Sequence, residues 1–358
     1  TAYRLLRAKD LSKEMEKEVI PQPGPPMRAD KVVGELLAVF RSLPAGKNLW
    51  GFGQGPDIKE SPSLEDATRA LEASVSLRRK VVELAPADLE PEGTTCLLNE
   101  NHSLRDLRAM ANRLAEDVMS LAFLRQTREA LDVVEAGDRV ARIVGRGISG
   151  WSSLISKMIC IACRGQYTRA TAESIRRHFF GPEDLDAIDR MLERMASREV
   201  DLDPSVTAEY DMAERAFHAF DRRIGLLRYP LRLYWGDGRA QLANLRRVWR
   251  EQKGQPPSEE ISRYHIMLSI CVPNCRLANQ RYMDSLSQRQ GLGAATVLER
   301  TFQARGSYPD TVPETVLDPT TKAPYRLGKR GSRTILYGLG SDGQNDGGER
   351  KKDVLIWE

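Results

Sequence analysis

The sequence lacks the patterns that would place it across a membrane or on a nucleic acid. No apolar run in its 358 residues reaches the roughly 18 that a membrane-spanning helix needs, and the most apolar stretch, residues 154–162, contains Ser156 and Lys157. The 54 basic and 50 acidic residues are scattered evenly and leave a net charge of only +4, which argues against DNA or RNA binding. No signal-peptide pattern opens the chain. As given, the sequence predicts a soluble protein with no nucleic-acid partner.

Histidine and cysteine are too few and too dispersed to define a catalytic or zinc site. The four histidines are widely separated, and no nucleophile, base and orienting residue form a recognisable group. Cys160-Ile-Ala-Cys163 has redox or zinc spacing but lies in an apolar helical run. In Cys271-Val-Pro-Asn-Cys275 the proline favours a local disulfide. Three alternatives stay open: a zinc site formed by both pairs, a Cys271–Cys275 disulfide, and buried free thiols.

The run Gly51-Phe-Gly53-Gln-Gly55 has glycine spacing that resembles a phosphate-binding loop. It lacks both a following Lys-Ser/Thr and a preceding strand. These glycines are therefore interpreted as turn residues.

What the sequence does contain is the composition of a globular helical protein. Hydrophobic residues make up 41% of the chain and charged residues 29%, and the length is enough for two or three domains with a real core. Links rich in proline and glycine divide it. Residues 1–95 are predicted as an N-terminal helical arm, residues 96–255 as a helical array, and residues 256–358 as a long helix followed by a small β module.

Apolar residues recur at helical spacing through the first two parts. The predicted helices cover residues 5–19, 31–41, 65–84, 104–121, 131–144, 151–164, 170–180, 185–195, 206–227, 240–253 and 258–270. Ser63 and Ser103 are expected to cap two of them, and Gly137-Asp138 is expected to interrupt another. Consecutive amphipathic helices with short links are typical of a helical bundle or α-hairpin array.

After the helix over residues 258–270, the third part continues with a long helix over residues 277–305. This helix is expected to end at Gly306 and to bend at Gly291 and Gly293. After it, β-favourable runs bounded by turn residues predict a hairpin between residues 325–327 and Arg333–Gly338, with a final strand Val354–Trp357. The predicted fold class is therefore mainly α, with a small C-terminal antiparallel β-sheet.

The loop between the last two strands is rich in oxygen ligands and poor in apolar anchors. It reads Leu339-Gly-Ser-Asp-Gly-Gln-Asn-Asp-Gly-Gly-Glu349, a composition suited to a hard cation such as Ca²⁺. With Asp342 as position one, Asp346 and Asp353 fall at positions five and twelve of EF-hand spacing, but the flanking segments read as strands, so a true EF-hand is excluded. The alternative is a solvated hairpin loop in which Asp, Asn and Gly only form turns.

Several segments of this tail resemble the C-terminal part of the major pseudopilin of type II secretion. They are Gly306-Ser-Tyr-Pro309, Asp318-Pro319, Pro324-Tyr325, Leu336-Tyr-Gly-Leu-Gly-Ser-Asp-Gly343, Gly347-Gly348 and Asp353-Val354. The resemblance covers residues 300–358 and implies a long helix, a short sheet and a calcium loop. It implies the Leu339 carbonyl and the Asp342 carboxylate as Ca²⁺ ligands, with later ligands among Asp346, Glu349 and Asp353.

The whole layout is also similar to uncharacterised bacterial envelope families in which a membrane anchor and a helical array precede such a tail. The resemblances imply a non-catalytic, exported cell-envelope or filament-associated protein that binds protein partners or itself. Membrane contact is expected only through an anchor preceding Thr1. Two alternatives stay open: an enzyme with a metal-assisted site between the helical body and the loop, and a helical scaffold whose tail binds nothing.

Overall fold

The computed structural model describes residues 28–44, 46, 48–52, 61–84, 104–146, 154–196 and 275–357, the last range with gaps at 315, 332, 341, 342, 350 and 351, and a few short pieces between residues 202 and 247. These residues form seven helices followed by three strands. The helices are α1 (Arg28–Ser42), α2 (Leu64–Leu84), α3 (Leu104–Phe123), α4 (Thr127–Arg146), α5 (Leu154–Arg176), α6 (Pro182–Ala196) and α7 (Cys275–Arg305). The strands are β1 (Arg326–Arg330), β2 (Arg333–Gly338) and β3 (Val354–Trp357). The predicted fold class is confirmed.

Helix α5 occupies the centre of the described part. It packs against α3 and α4 on the body side and against α7 and β3 on the other. One apolar core runs from Val32 in α1 to Trp357 in β3. None of the described helices is long and apolar enough to cross a lipid bilayer. The predicted domain boundaries after residues 95 and 255 fall outside the described ranges and remain predictions, as do the helices expected over residues 5–19 and 258–270.

The prediction of separate helices over residues 151–164 and 170–180 is wrong, because α5 continues from Leu154 to Arg176. A single glycine, Gly165, interrupts the apolar pattern there, and in a helix interior it costs only about 1 kcal/mol relative to alanine. Tyr167 lies two residues further on and is buried in the core. Packing of this large side chain offsets the weak local preference, so the helix continues.

The predicted interruption at Gly137-Asp138 is also wrong, since α4 is helical from Thr127 to Arg146. A Cβ atom on Gly137 would lie 2.6 Å from a ring carbon of Tyr167, so the glycine makes room for α5 to approach. Asp138 is buried and accepts hydrogen bonds from Arg142 Nε at 3.0 Å and Arg164 Nε at 2.5 Å. Both residues serve close packing of α4 on α5.

The predicted cap at Ser63 is confirmed. The backbone N–H of Asp66 donates to Ser63 Oγ at 3.0 Å, and Ser63 Oγ donates to the Asp66 carboxylate at 2.9 Å. This pairing satisfies a backbone N–H that the first turn of α2 leaves without a helical partner. Ser103, the other predicted cap, lies outside the described residues.

The three strands form an antiparallel sheet in the order β1-β2-β3. Strand β1 is longer than predicted, because Lys329 and Arg330 pair with Thr334 and Arg333 instead of forming the turn. The tight turn falls on Gly331, whose φ of +63° suits glycine. Between β2 and β3, Leu336 pairs with Trp357 and Gly338 with Val354, with an irregular register near Leu336.

Helix α7 carries this sheet. It is helical without interruption through Gly291 and Gly293, and a Cβ atom on Gly291 would overlap the Ile356 side chain of β3. Gly291 therefore serves the close approach of helix and sheet. Gly306, at φ +75°, follows the last residue of α7, and its N–H donates to the Phe302 carbonyl at 2.7 Å, so the predicted stop is confirmed.

Candidate cation site in the C-terminal loop

The loop from Leu339 to Asp353 is shaped by glycines that its backbone requires. Gly343, Gly347 and Gly348 have φ values of +67°, +70° and +81°, in the left-handed region that side chains disfavour. A Cβ atom on Gly348 would also lie 2.5 Å from the Ile335 side chain. These glycines let the loop fold back tightly against the sheet.

The two ends of the loop meet beside the sheet. A Cβ atom on Gly340 would overlap the Lys352 carbonyl oxygen, so only glycine allows this approach. The N–H groups of Lys352 and Asp353 both donate to the Glu349 carbonyl, at 2.9 and 2.8 Å. This turn brings Asp353, at the end of the loop, next to its beginning after β2.

Asp353 holds the loop together from inside. Its side chain is 4% exposed, and Oδ2 accepts the backbone N–H groups of Asp346 at 3.1 Å and Gly348 at 2.7 Å. The other oxygen, Oδ1, is buried and has no hydrogen-bond partner. A buried carboxylate oxygen without a partner is unfavourable unless a proton, a water or a metal ion satisfies it.

Asp346 presents a similar pair of oxygens. Its Oδ1 receives the ammonium group of Lys352 at 3.0 Å, and Lys352 also reaches Glu349 at 3.1 Å. These two carboxylates raise the pKa of Lys352. Asp346 Oδ2 is buried without a partner, like Asp353 Oδ1. Lys352 is thus an internal cation that competes for the same acidic loop.

The structure brings some of the predicted ligands together. Leu339 directly follows β2 with a buried side chain, and Asp346 and Asp353 are linked by a hydrogen bond. Asp342 lies outside the described residues. Within the described ranges, which omit Asp342, no group of three or more His, Cys, Asp or Glu side chains is placed to hold a metal ion. The two unpartnered oxygens of Asp346 and Asp353 nevertheless fit the donor type that Ca²⁺ prefers.

A hydrogen-bonded contact that the sequence did not reveal couples this module to the helical body. His178, just after α5, places Nδ1 2.9 and 3.0 Å from the two carboxylate oxygens of Glu299 on α7. The His178 ring stacks on Phe302 at 4.1 Å, and its backbone has a φ of +57°. The partners are 121 residues apart, so no local pattern points to the pair.

A second unforeseen contact anchors residues 48–52 to the body. The Glu116 carboxylate on α3 accepts the backbone N–H groups of Leu49 and Trp50 at 2.8 Å and of Phe52 at 2.9 Å. Trp50 Nε1 donates to Ser120 Oγ at 2.9 Å. Burial raises the pKa of Glu116, opposed by the three N–H donors. Gly51, with φ +91°, allows this turn. Gly53 and Gly55 lie outside the described residues, so their interpretation as turn residues remains a prediction.

The two cysteines whose side chains the structure describes are buried. Cys160 and Cys163 both lie on α5 and form no disulfide. Burial, and to a lesser extent Cys160, raises the pKa of Cys163 to about 12, so its reactive thiolate is scarce at neutral pH. The thiols of Cys271 and Cys275 lie outside the described residues, and the disulfide and zinc alternatives stay predictions.

No family model matches this chain, and neither a curated protein nor a solved structure is significantly similar to it.

Proposed function

We propose that this chain is a non-catalytic, exported cell-envelope or filament-associated structural protein whose C-terminal module is stabilised by Ca²⁺. The observation that carries the proposal is the loop of residues 339–353. There the buried oxygens Asp346 Oδ2 and Asp353 Oδ1 lack partners on a backbone folded tightly by glycines. The Leu339 carbonyl, Asp342, Asp346 and Asp353 are the proposed ligands.

The ion would stabilise the loop of residues 339–353, whose only apolar side chain is that of Leu339. The flanking strands bury Leu336, Val354, Ile356 and Trp357 in the apolar core, whereas the loop between them has no such anchor. Because the ligands are far apart in an unfolded chain, the free energy of metal binding adds to the free energy of folding. Calcium would therefore turn the end of the chain into a rigid docking piece.

The envelope location and the structural role are supported by the resemblance of residues 300–358 to the major pseudopilin of type II secretion. Protein partners, or further copies of this chain, are the proposed binding targets. Sedimentation velocity with and without CaCl₂ tests self-association. Fractionation of the producing cells tests the location; recovery in the cytoplasm alone would contradict export.

Replacing Asp342 with alanine tests the calcium site. Thermal unfolding and hydrogen exchange of the β3 amides are measured in CaCl₂ and in EDTA. The variant should melt below the wild type in calcium, with faster exchange in Val354–Trp357, and should match it in EDTA, because only the ion-bound state uses this carboxylate. Equal melting of both proteins in both buffers would rule the site out.

Lys352→Gln is the matched variant, which is expected to change calcium affinity in the opposite direction. The Lys352 ammonium neutralises Asp346 and Glu349, so its removal leaves more negative charge for the ion. Calcium affinity, measured by isothermal titration, should rise in this variant and fall in Asp342→Ala. An unchanged affinity in both variants would show that the loop does not bind the ion.

A further inference from the structure

A second group of buried oxygen atoms lies where α7, residues 317–324 and the end of β2 meet. Asp318 is fully buried at 0% exposure. Its Oδ1 accepts the Thr320 N–H at 2.9 Å, while Oδ2 has no hydrogen-bond partner. Ser287 on α7 is also 0% exposed, and its Oγ is likewise unpartnered. Two oxygen atoms without hydrogen-bond partners are thus buried where these elements meet.

Gly338, the last residue of β2, shows that these two oxygens face the same point. A Cβ atom on Gly338 would lie 2.6 Å from Asp318 Oδ2 and 2.9 Å from Ser287 Oγ. The absence of a side chain at Gly338 therefore leaves both atoms adjacent to one small space. Its third neighbour is the ring of Tyr325, 3.2 Å from the same Cβ position, whose hydroxyl donates to the Ser287 carbonyl at 2.7 Å.

A second carboxylate approaches from α7. Asp284 lies three residues before Ser287, which puts both on one face of the helix. Burial raises the pKa of Asp284 to about 6; Arg281 opposes the shift, and the charge of Asp318 adds to it. Thr320 Oγ1 reaches the Met283 carbonyl at 3.4 Å, so the loop that carries Asp318 is held against this turn of α7.

Asp318 and Ser287 bury two unpartnered oxygens beside one space, and the half-buried carboxylate of Asp284 lies one helical turn from Ser287. This set of groups favours a positive charge. Buried carboxylates persist in proteins when they are paired, fully hydrogen-bonded or bound to a metal. Asp318 receives one backbone N–H on Oδ1, and its second oxygen receives none. Oxygen donors with a combined charge near −2 suit a hard divalent ion.

We propose that Asp318, Ser287 and Asp284 form a second cation site, which binds Ca²⁺ or Mg²⁺ and fastens the sheet and residues 317–324 to α7. This site is separate from the loop of residues 339–353 and does not depend on the function proposed above. An ion bound here would link two elements, α7 and residues 317–324, beside the end of β2. It would stabilise the attachment of the module to α7, whereas an ion in the loop would order the loop.

Isothermal titration of the full chain with CaCl₂ and, in a separate arm, with MgCl₂ tests this site. Asp318→Asn, which keeps the shape and removes the charge, should bind one equivalent fewer of the preferred ion than the wild type. Ser287→Ala should weaken that binding event by about tenfold or more, since even residues that only support a metal ligand contribute that much. Asp353→Asn, which changes the other loop, should leave it intact.

If Asp318→Asn does not fold, two other variants still test the proposal. They are Ser287→Ala and Asp284→Asn, which change the oxygen ligands with little change in volume. Equal ion stoichiometry and affinity in the wild type and these variants would overturn the proposal. A high-resolution structure in CaCl₂ and MgCl₂ showing only a water molecule between Asp318 and Ser287 would do the same. Loss of binding in Asp318→Asn but not in Asp353→Asn or Asp342→Ala would refute the loop site and keep this one.

Discussion

The helical body and the C-terminal module bury acidic side chains in different ways. In the body, Asp138 accepts hydrogen bonds from Arg142 and Arg164. Asp117 keeps an Oδ2 that accepts no hydrogen bond, but its carboxylate lies 3.7 Å from the guanidinium groups of Arg78 and Arg113. In the module, the buried carboxylates Asp318 and Asp353 accept backbone N–H groups, and each keeps one oxygen without a partner.

The difference shows which region supplies its own charge balance. In a helix, side chains three or four residues apart lie on the same face. An arginine such as Arg142, four residues after Asp138, therefore reaches the acid directly. The module places Asp318 and Asp353 in turns outside its helix, where backbone N–H groups provide only partial compensation. The body is therefore expected to fold without added ions, while the module responds to cations.

The largest expected effect is in the body. Asp138→Asn removes the acceptor charge between two buried arginines and should lower the free energy of unfolding by about 3–5 kcal/mol, because it leaves buried guanidinium groups uncompensated. Denaturant unfolding measures this, and the loss should be equal in calcium and in EDTA. Glu65→Gln is the control, since its ion pair with Arg69 is exposed and contributes at most about 1 kcal/mol. Similar losses in both variants would contradict the role of the buried pair.

A somewhat smaller loss is expected at the anchor of residues 48–52. Glu116→Gln replaces one acceptor oxygen with an NH₂ group, so at least one of the three backbone N–H donors faces another donor. Leaving a buried polar group unsatisfied costs about 1–3 kcal/mol, and hydrogen exchange of the Trp50 and Phe52 amides should accelerate. Glu72→Gln, on the exposed face of α2, serves as the neutral control. Unchanged exchange at Trp50 would show that Glu116 does not hold the segment.

Asp284 should give the module a dependence on pH, as Asp117, whose burial raises its pKa to about 6, does in the body. The pKa of Asp284 is raised from 3.8 to about 6, so the folded state takes up its proton before the unfolded chain does. In EDTA this group makes stability rise as the pH falls through about 6 towards 3.8. Asp284→Asn should remove this rise in stability at low pH, and the variant should be more stable than the wild type at neutral pH.

The pH series for Asp284→Asn is followed by hydrogen exchange of β2 amides, which reports on the module. Asp310→Asn, an exposed acid in the same part of the chain, is the control. If stability rises by the same amount in the wild type and in Asp284→Asn as the pH falls, another group causes the effect.

The smallest expected effect is an increase in stability. Gly293 lies inside α7, and a Cβ atom there would meet no atom within 4 Å, so Gly293→Ala should raise the free energy of unfolding by about 0.5–1 kcal/mol through helix propensity. Gly340→Ala, in the module, should be destabilising because its Cβ would overlap the Lys352 carbonyl. Thermal unfolding of the two variants compares them directly; stabilisation by Gly340→Ala would contradict the described loop.

Local sequence signals predicted the elements better than their continuity. Ser63, Gly306 and the strands Arg333–Gly338 and Val354–Trp357 were predicted because caps, turns and β-branched runs act over a few residues. The breaks expected within α4 and α5 were wrong because tertiary packing around Tyr167 outweighs a single glycine. For the candidate site, composition identified the loop and its acids, but not which oxygens lack partners.

The amino-acid sequence alone determined the helical period, the position of the small sheet and the glycine-rich acidic loop, since each depends on neighbours within a turn or two. Only the tertiary structure decided that Glu116 holds Trp50, that Glu299 meets His178, and that Asp318 and Ser287 face one space beside Gly338. Those contacts join residues from 31 to 121 positions apart. Their energies arise from removal of charge and polar groups from water, which no local pattern records.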